Sequence, residues 1–407
     1  MRFQFRSIQL HWQILIAFIL AILFGVFFPE QVDYVAWLGD LFLRALQMII
    51  IPLIFSSIVS GITQVGSAEN LGRLGLKTMG YYIFTSILAI FTGLLFVNII
   101  KPGEGARMGL EKEVEGLGIA AESFGSTLLH IIPTNVVKAF ADNEMLSVIF
   151  FAIIFGFFIT RVKSKSKKIM TGIFESLFEV MMKLTMFIIY FAPLGIFGIV
   201  ARVVASQEDL LGLASSMGQY MFCVLAALFV HAFISLPLLV RFLGKAKPFR
   251  HLRSMATPLI TAFSTSSSSA TLPLTINAVE NNSGVSNKIS SFTLPLGATI
   301  NMDGTALYEL VAAMFIAQAY GLELSIWKQL IAVAAALLAS IGAAGIPMAG
   351  LVMITVVLKA MGLPFEGVGL ILAVDRILDM FRTATNVWSD SCGAVIIAKS
   401  EGEVLKV

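Results

Sequence analysis

The chain has 407 residues, of which 57% are hydrophobic and only 13% charged, with a mean hydropathy of +0.89. Soluble domains carry charge on about a quarter of their residues, so this is the composition of a polytopic membrane protein, and a net charge of +3 is too small to suggest nucleic acid as a partner. The two cysteines, Cys223 and Cys392, each lie in an apolar segment and offer neither a disulfide framework nor a metal-binding spacing.

Apolar runs of about 20 residues, enough to cross roughly 30 Å at about 1.5 Å per residue, predict spans near 8–28, 41–65 and 78–100. A fourth falls within 127–160, a fifth within 169–203 and a sixth within 211–243, the last two long enough to tilt or protrude. Arg2 and Arg6 precede the first run and no small-residue cleavage pattern follows it, so it reads as a first transmembrane helix and not a removed signal. Arg161 to Lys168 and Arg241 to Arg253 each hold five basic residues and no acid, which assigns both to the cytoplasmic side. The opposite connections are acidic or mixed, with Glu30, Asp33 and Asp40, then Glu111, Glu113 and Glu115, then Glu208 and Asp209. Six crossings with the N-terminus inside satisfy every loop.

In the second half, small polar residues interrupt the apolar segments. From Thr257 to Val279 two short arms flank the run Ser264 to Ser269, with Pro273 beyond. Each arm is too short to span, so a hairpin entering from the cytoplasm is predicted. The design recurs over 331–359, where two arms of about ten residues flank Ser340 to Pro347 in a hairpin entering from outside. Each hairpin precedes a helix with a polar interruption, first at Asn301 to Thr305 and then within Ala373 to Ala398. Such inverted repeats put a binding site at the bilayer midplane, where interrupted helices offer carbonyls to cations and N-termini to carboxylates. The predicted class is an all-α polytopic secondary transporter with eight transmembrane helices and two re-entrant helical hairpins.

Ala373 to Ala398 is long enough to cross a bilayer, yet it carries Asp375, Asp379, Arg382, Thr383, Asn386 and Asp390 at helical spacing, all on one stripe. A charge at mid-bilayer costs about 2.5 to 3.5 kcal/mol on insertion scales, so the stripe must face protein, water, ions or a ligand. Three aspartates against one arginine call for cations. Arg382 is either a structural cation paired with Asp379 or Asp375, or, with Thr383 and Asn386, a bidentate holder of a carboxylate. Asp303 and Asp390, beside Asn301 and Asn386, supply the hard oxygens that Na⁺ prefers. A serine run is usually a flexible turn, but at membrane depth it must be buried or line a cavity. Glu309, four residues after Thr305 on the same face, is a hydrogen-bonded core acid or a proton carrier. Tyr82, Thr85 and Ser86 read as polar helix-packing residues, and His11, His130, His231 and His251 are scattered and form no constellation.

Four stretches in order, SSSSATLP at Ser266 to Pro273, NMDGTALYE at Asn301 to Glu309, the Gly-rich tip Ser340 to Gly350 and DMFRTATNVWSD at Asp379 to Asp390, resemble the glutamate transporter family, the dicarboxylate/amino acid:cation symporters. The likeness covers essentially the whole chain. It implies a homotrimer in which 1–77 and 101–205 form a scaffold, while 78–100 and 206–407 form a transport domain that moves like an elevator. Within the latter fall hairpins at about 249–284 and 326–362 and spans at about 286–320 and 366–400. By motif position, the resemblance implies that Arg382 binds a substrate side-chain carboxylate and Asp379 with Thr383 the amino group. Asn386, Thr305 and the tip around Ser267 and Ser268 would hold the α-carboxylate. Ser266 and Met302 complete the set, and Ile346, Pro347, Met348, Ala349 and Gly350 close over the ligand. One sodium site would use Gly297, Asn301, Asn386 and Asp390. A second would use Thr299 with the backbone of Ser340, Ile341 and Ala343, and a third Tyr82, Thr85, Ser86, Asn301 and Asp303. The side chains of the third favour Na⁺ over the family's proton-only branch, and no organic cofactor is implied. Other members carry an arginine in place of either Ser266 or Met380, so the pocket here is expected to be more negative when empty. Glu309 matches the animal members, in which it is linked to proton co-transport and K⁺ return.

The expectation is a Na⁺-driven symporter of L-aspartate or L-glutamate in the cytoplasmic (inner) membrane, with both termini inside and H⁺ co-transport as a further hypothesis. The rivals of the same fold are a proton-only symporter and a carrier of neutral amino acids or C4 dicarboxylates. Arg382 opposes neutral substrates, because it would be left partly unpaired, and Asp379 opposes ligands lacking an ammonium. An ion channel is the rival of another class, and occluding hairpins favour stepwise transport over it. A serine protease has no support, because no GxSxG elbow or base accompanies the serine run.

Overall fold

The protein is described by a computed structural model over residues 10–66, 72–104, 132–142, 144–206, 210–342, 349–364 and 367–407. Among the described residues the elements are helices joined by short turns. The first half comprises α1 (Leu10–Phe27), α2 (Asp33–Gly66), α3 (Gly72–Ile100), the short α4 (Val136–Ala141), α5 (Met145–Arg161), α6 (Ser164–Ile189) and α7 (Ala192–Ala205). The second half follows with α8 (Leu210–Val230), α9 (Leu236–Phe242), α10 (Pro248–Ser254), α11 (Ala256–Thr265), α12 (Ser268–Ala278), α13 (Asn287–Ile300), α14 (Asp303–Ala319), α15 (Ile326–Gly342), α16 (Ala349–Ala360) and α17 (Val368–Ser400).

Among the described residues, four helical stretches, Asp33–Thr63, Arg73–Ile100, Ala214–Phe242 and Asn287–Ala319, are long and apolar enough to cross a membrane, and the pair α6–α7 makes a fifth. That pair corrects the expectation of a single tilted fifth span, because its halves meet at 53°. Pro193, near the start of α7, has no N–H to continue the ladder of α6. The sixth span continues from α8 to α9 through a π-helical turn, His231–Ser235, that absorbs Pro237. The fourth predicted span is α5 preceded by α4, and its start at 127–131 lies outside the described residues.

Both hairpins form. In the first, α11 and α12 pack on each other and turn at Ser266, which adopts a left-handed φ of 51°. In the second, α15 and α16 pack on each other, and the tip, 343–348, lies outside the described residues. The first arm, α15, has 17 residues and not about ten, because its apolar pattern extends back to Ile326. The predicted interruption at Asn301 to Thr305 narrows to Asn301 and Met302, between α13 and α14.

Packing follows two groupings. Helix α2 packs on α5, α6 and α7, and α1 on α7; α3 packs on α14 and α8, and α17 on α11, α13 and α14. One apolar cluster takes in α14 and the start of α17 as far as Leu378, while a second takes in α13 and the end of α17 from Trp388. The polar stretch of α17 and the break at Asn301 fall between these clusters, so the polar groups share one band flanked by apolar layers.

Candidate functional site

All six polar residues of the α17 stripe are buried, from Asp375 at 0% to Asp379 and Thr383 at 5% exposure. Burial is not confined to the stripe, since the apolar face from Val387 to Ala398 is also covered by protein. The charges therefore answer to their neighbours and not to lipid.

Arg382 is the centre of the first group. Its Nη2 donates to Asp379 Oδ1 at 2.8 Å and lies 3.1 Å from Asp375 Oδ1, while its guanidinium carbon sits 3.8 Å over the ring of Tyr308. Tyr308 Oη donates to the same Asp375 oxygen at 2.6 Å. The structural pairing considered for Arg382 is thus real. It nevertheless uses only one terminal nitrogen, because Nε and Nη1 have no hydrogen-bond partner among the described residues. A buried donor left unmade is costly, and two such donors on one planar fork match a carboxylate. Gly350, at the start of α16, closes on this fork: a Cβ there would stand 2.6 Å from Arg382 Nη1. The backbone of Arg382 is approached in turn by Gly304, where an added Cβ would lie 2.7 Å from the Arg382 carbonyl.

Around this fork, Asn386 Oδ1 accepts from the Gly304 N–H at 2.8 Å and its Nδ2 donates to Thr305 Oγ1 at 3.1 Å, which ties α17 to the start of α14. Ser266, Ser267 and Ser268 are buried at the first hairpin's turn; Ser267 caps α12 by accepting from the Ala270 N–H at 3.2 Å, while Ser266 Oγ has no partner among the described residues. Met302 and Thr383 are buried. Ile346, Pro347 and Met348 lie outside the described residues, as does the side chain of Ala349.

The second group surrounds the helix break. Ser86 Oγ donates to Asp303 Oδ1 at 2.7 Å, Ser389 Oγ donates to Asp303 Oδ2 at 2.6 Å, and His231 Nε2 lies 3.1 Å from that Oδ2. Asn301 Nδ2 donates to Asp390 Oδ1 at 2.9 Å and to Ser389 Oγ at 3.0 Å, and Thr85 Oγ1 lies 3.3 Å from Asn301 Oδ1. Tyr82 Oη donates to the Thr293 carbonyl at 2.6 Å, and Gly297 gives Tyr82 and Asp390 the room to approach. Hydroxyl, amide and carboxylate oxygens from α3, α13, α14 and α17 therefore converge, the donor set a hard monovalent cation takes. No group of three or more His, Cys, Asp or Glu suited to a transition metal occurs among the described residues. The residues of the remaining predicted sodium site are less gathered: Thr299 Oγ1 bonds the Leu296 carbonyl at 3.0 Å and Ser340 Oγ the Leu337 carbonyl at 2.9 Å, Ile341 is half-buried and Ala343 lies outside the described residues.

Three residues were not assigned from sequence. His231 contradicts the reading of four histidines without a constellation, since it is fully buried against Asp303; its place on a π-turn, a frequent mark of functional positions, is invisible in the sequence. Ser389 was one residue from an assigned aspartate, and its two contacts follow from helix rotation. Arg376 is the third, with Nη1 3.6 Å from Asp379 Oδ2. It tempers the expectation of a more negative pocket, because two arginines stand beside Asp375 and Asp379. Glu309 is fully buried, and neither carboxyl oxygen has a hydrogen-bond partner among the described residues.

A buried arginine fork in the unbroken middle of α17, beside oxygens gathered at the break between α13 and α14, fits a carrier of small ionic solutes. The chain belongs to the sodium:dicarboxylate symporter family, whose profile matches residues 10–400. It is 36% identical over 439 residues to mouse excitatory amino acid transporter 4, covering 90% of this chain and 78% of that one. It is 35% identical over 412 residues to the Escherichia coli proton/glutamate-aspartate symporter, covering 97% and 93% of the two chains. The proton/sodium-glutamate symport protein of Geobacillus stearothermophilus is 35% identical over 410 residues, covering 98% and 96%.

Proposed function

We propose that this chain is a secondary active symporter of L-aspartate and L-glutamate, driven by the Na⁺ gradient across a cytoplasmic membrane. The observation that carries the reading is Arg382, buried with two unpartnered nitrogens, paired with Asp379 and set beside an oxygen cage on the same helix. The fork takes the substrate's side-chain carboxylate, Asp379 with Thr383 its ammonium, and Thr305, Asn386 and the Ser266–Ser268 turn its α-carboxylate. Tyr82, Thr85, Ser86, Asn301 and Asp303 hold one Na⁺ and Gly297, Asn301, Asn386 and Asp390 another; Thr299 with the 340–343 backbone takes a third. Coupling follows from a shared residue, because Asn386 serves both the ligand and an ion group, while Asn301 joins the two ion groups. The names of the relatives, an excitatory amino acid transporter and two glutamate symporters, support the same substrate class.

Eight crossings, two hairpins and an elevator motion complete the reading. The packing of α1, α2 and α5–α7 among themselves, and of α3 with α8 and α14, supports a scaffold of 1–77 and 101–205 and a transport domain of 78–100 and 206–407. Homotrimeric assembly and cytoplasmic termini are part of the proposal. Proton co-transport through Glu309 is favoured by its lack of any hydrogen-bond partner among the described residues, since an unpaired carboxylate at this depth is costly.

The test is uptake of radiolabelled L-aspartate and L-glutamate into proteoliposomes, with inward Na⁺ and H⁺ gradients imposed separately. Uptake that needs Na⁺ and disappears in Arg382→Ala is expected. Uptake driven by H⁺ alone would sink Na⁺ coupling, and a Glu309→Gln protein with unchanged dependence on the pH gradient would remove the role of that residue.

A further inference from the structure

The chain that follows α17 stays on the bundle, as a strap from Glu401 to Val407 laid across the ends of two other helices. Glu401 takes α3: Lys77 Nζ donates to its Oε1 at 2.6 Å, and Arg73 Nη2 donates to its two oxygens at 3.0 and 3.2 Å. Lys77 also donates to the carbonyl and the hydroxyl of Ser400, the last residue of α17, at 3.1 and 3.0 Å. Glu403 takes α13, accepting from the Ser286 N–H at 2.9 Å and from the Ser286 hydroxyl. Helix α13 has no acid in its own first turn and no side-chain cap. Glu403 therefore supplies the negative charge that a helix N-terminus favours, as Lys77 supplies the positive charge at the C-terminal end of α17. Lys406 anchors the far end of the strap, with its N–H on the Ser283 carbonyl at 3.0 Å and its Nζ on the Asn281 carbonyl at 2.9 Å. Gly284, at a φ of 81°, leaves room for it, since a Cβ there would stand 3.0 Å from Lys406 N. Leu405 and Val407 pack against the apolar cluster that holds α13 and the end of α17.

The helices joined in this way are three of those that bring oxygens to the ion cage. Helix α3 carries Tyr82, Thr85 and Ser86, α13 carries Gly297 and runs into Asn301, and α17 carries Ser389 and Asp390. From the strap to the cage, Lys77 to Ser86, Ser286 to Gly297 and Ser400 to Asp390 are arms of nearly equal length, roughly 13 to 17 Å at about 1.5 Å per residue. One exposed ion pair contributes little by itself. A strap that fixes three helix ends at once sets the spacing of whatever those helices hold.

We propose that Glu401 and Glu403 are positioning residues that keep the cage at the spacing a Na⁺ ion requires. This rests on the reading of that cage as a Na⁺ site. Neither acid touches the ion or the substrate. With the strap closed, the oxygens of α3 and α13 stand ready against those of α17. With it released, the helix ends part, and apparent Na⁺ affinity falls by the fraction of molecules in which the cage is assembled. By linkage, an ion that binds the closed arrangement better must in turn tighten the strap.

The experiment measures L-aspartate uptake into proteoliposomes as a function of Na⁺ for the wild type, Glu401→Gln/Glu403→Gln, Lys77→Met and Lys77→Arg. Glu104→Gln is the control, because it breaks a comparable exposed pair, with Lys101, just beyond the other end of α3. The double variant is expected to raise the Na⁺ concentration for half-maximal uptake about fivefold, as when about one molecule in five has an assembled cage, with the aspartate KM at saturating Na⁺ within about twofold of wild type. Lys77→Met should shift the midpoint in the same direction, and Lys77→Arg, which keeps the charge, should restore it. A strap that only adds stability would lower the melting temperature and leave the midpoint in place, as Glu104→Gln should. Hydrogen exchange of the wild type needs no variant to fold: peptides containing the Ser286 and Lys406 amides should exchange about fivefold more slowly in Na⁺ than in choline. A double-variant midpoint within about twofold of wild type, or equal exchange in the two salts, overturns the proposal. If Asp303→Asn still shifts the midpoint in that case, the Na⁺ cage stands without the strap. Wild-type uptake that needs no Na⁺ overturns the cage and the strap together.

Discussion

The two polar groups on α17 lie about two helical turns apart, since Arg382 and Asp390 differ by eight residues at roughly 1.5 Å each, and they are satisfied in opposite ways. Around Arg382 the charges nearly balance, with Arg376 and Arg382 facing Asp375 and Asp379, yet two guanidinium nitrogens have no acceptor among the described residues. Around Asp303 and Asp390 the hydrogen bonds are largely made, yet no lysine or arginine is paired with either acid among the described residues. The first group calls for an acceptor and the second for positive charge. In the proposed reading a carboxylate-bearing solute and a monovalent cation would supply these in turn, and one helix carrying both would give them a common support. That difference teaches how coupling can be built without contact between the two cargoes.

The comparison breaks most sharply at its two charged centres. Arg382→Ala is expected to lower kcat/KM for aspartate about 30- to 5,000-fold at every Na⁺ concentration, because truncating one member of a buried charge pair costs about 2 to 5 kcal/mol. Asp303→Asn is expected to raise the Na⁺ concentration for half-maximal uptake about 30-fold while saturating Na⁺ restores most of the rate, as removal of one charged ligand worth about 2 kcal/mol would do. Uptake as a function of Na⁺ in both variants separates the groups, and an Arg382→Ala protein rescued by high Na⁺ would erase the distinction.

A smaller effect is expected from Gly350→Ala, where the new methyl meets Arg382 Nη1 at 2.6 Å. Overpacking of this kind costs about 1 to 3 kcal/mol, so the aspartate KM should rise about tenfold with Na⁺ dependence unchanged. Smaller again is His231→Leu, which removes one hydrogen-bonding partner of Asp303 worth about 1 kcal/mol. It should shift Na⁺ activation about fivefold and leave the preference between aspartate and glutamate as it was.

The last effect concerns stability and not transport. His251, on α10 outside the crossing helices, faces Ser283 Oγ at 2.8 Å and lies with its ring centroid 5.1 Å from that of Trp388. Burial pushes its imidazole down from 6.5 to about 4. The folded state thus holds the neutral ring, and the unfolded chain binds the extra proton between those values. Its contribution is complete above about pH 6.5 and declines as pH falls toward 4, by about 2 kcal/mol at pH 5. Melting of the detergent-solubilised protein between pH 7.5 and 5 should show this loss in the wild type and a flatter profile in His251→Gln.

The sequence by itself determined the helical membrane class, the two hairpins, the interruption at Asn301 and the burial of the α17 stripe. Those follow from local quantities: the 3.6-residue period, the length of apolar runs, and the cost of a charge in hydrocarbon. The motifs at Ser266, Asn301, Ser340 and Asp379 carried the family as well. Only the tertiary structure decided that Ser86, His231 and Ser389 meet on Asp303, that Arg382 divides one nitrogen between two aspartates while leaving two others unmatched, and that Arg376 turns toward Asp379. Residues 72 to 217 positions apart in the chain make the Asp303 contacts. Which of them meet depends on the rotation and register of neighbouring helices, and on a π-turn and a helix bend that shift those registers by a fraction of a turn, a quantity no periodicity along a single segment encodes.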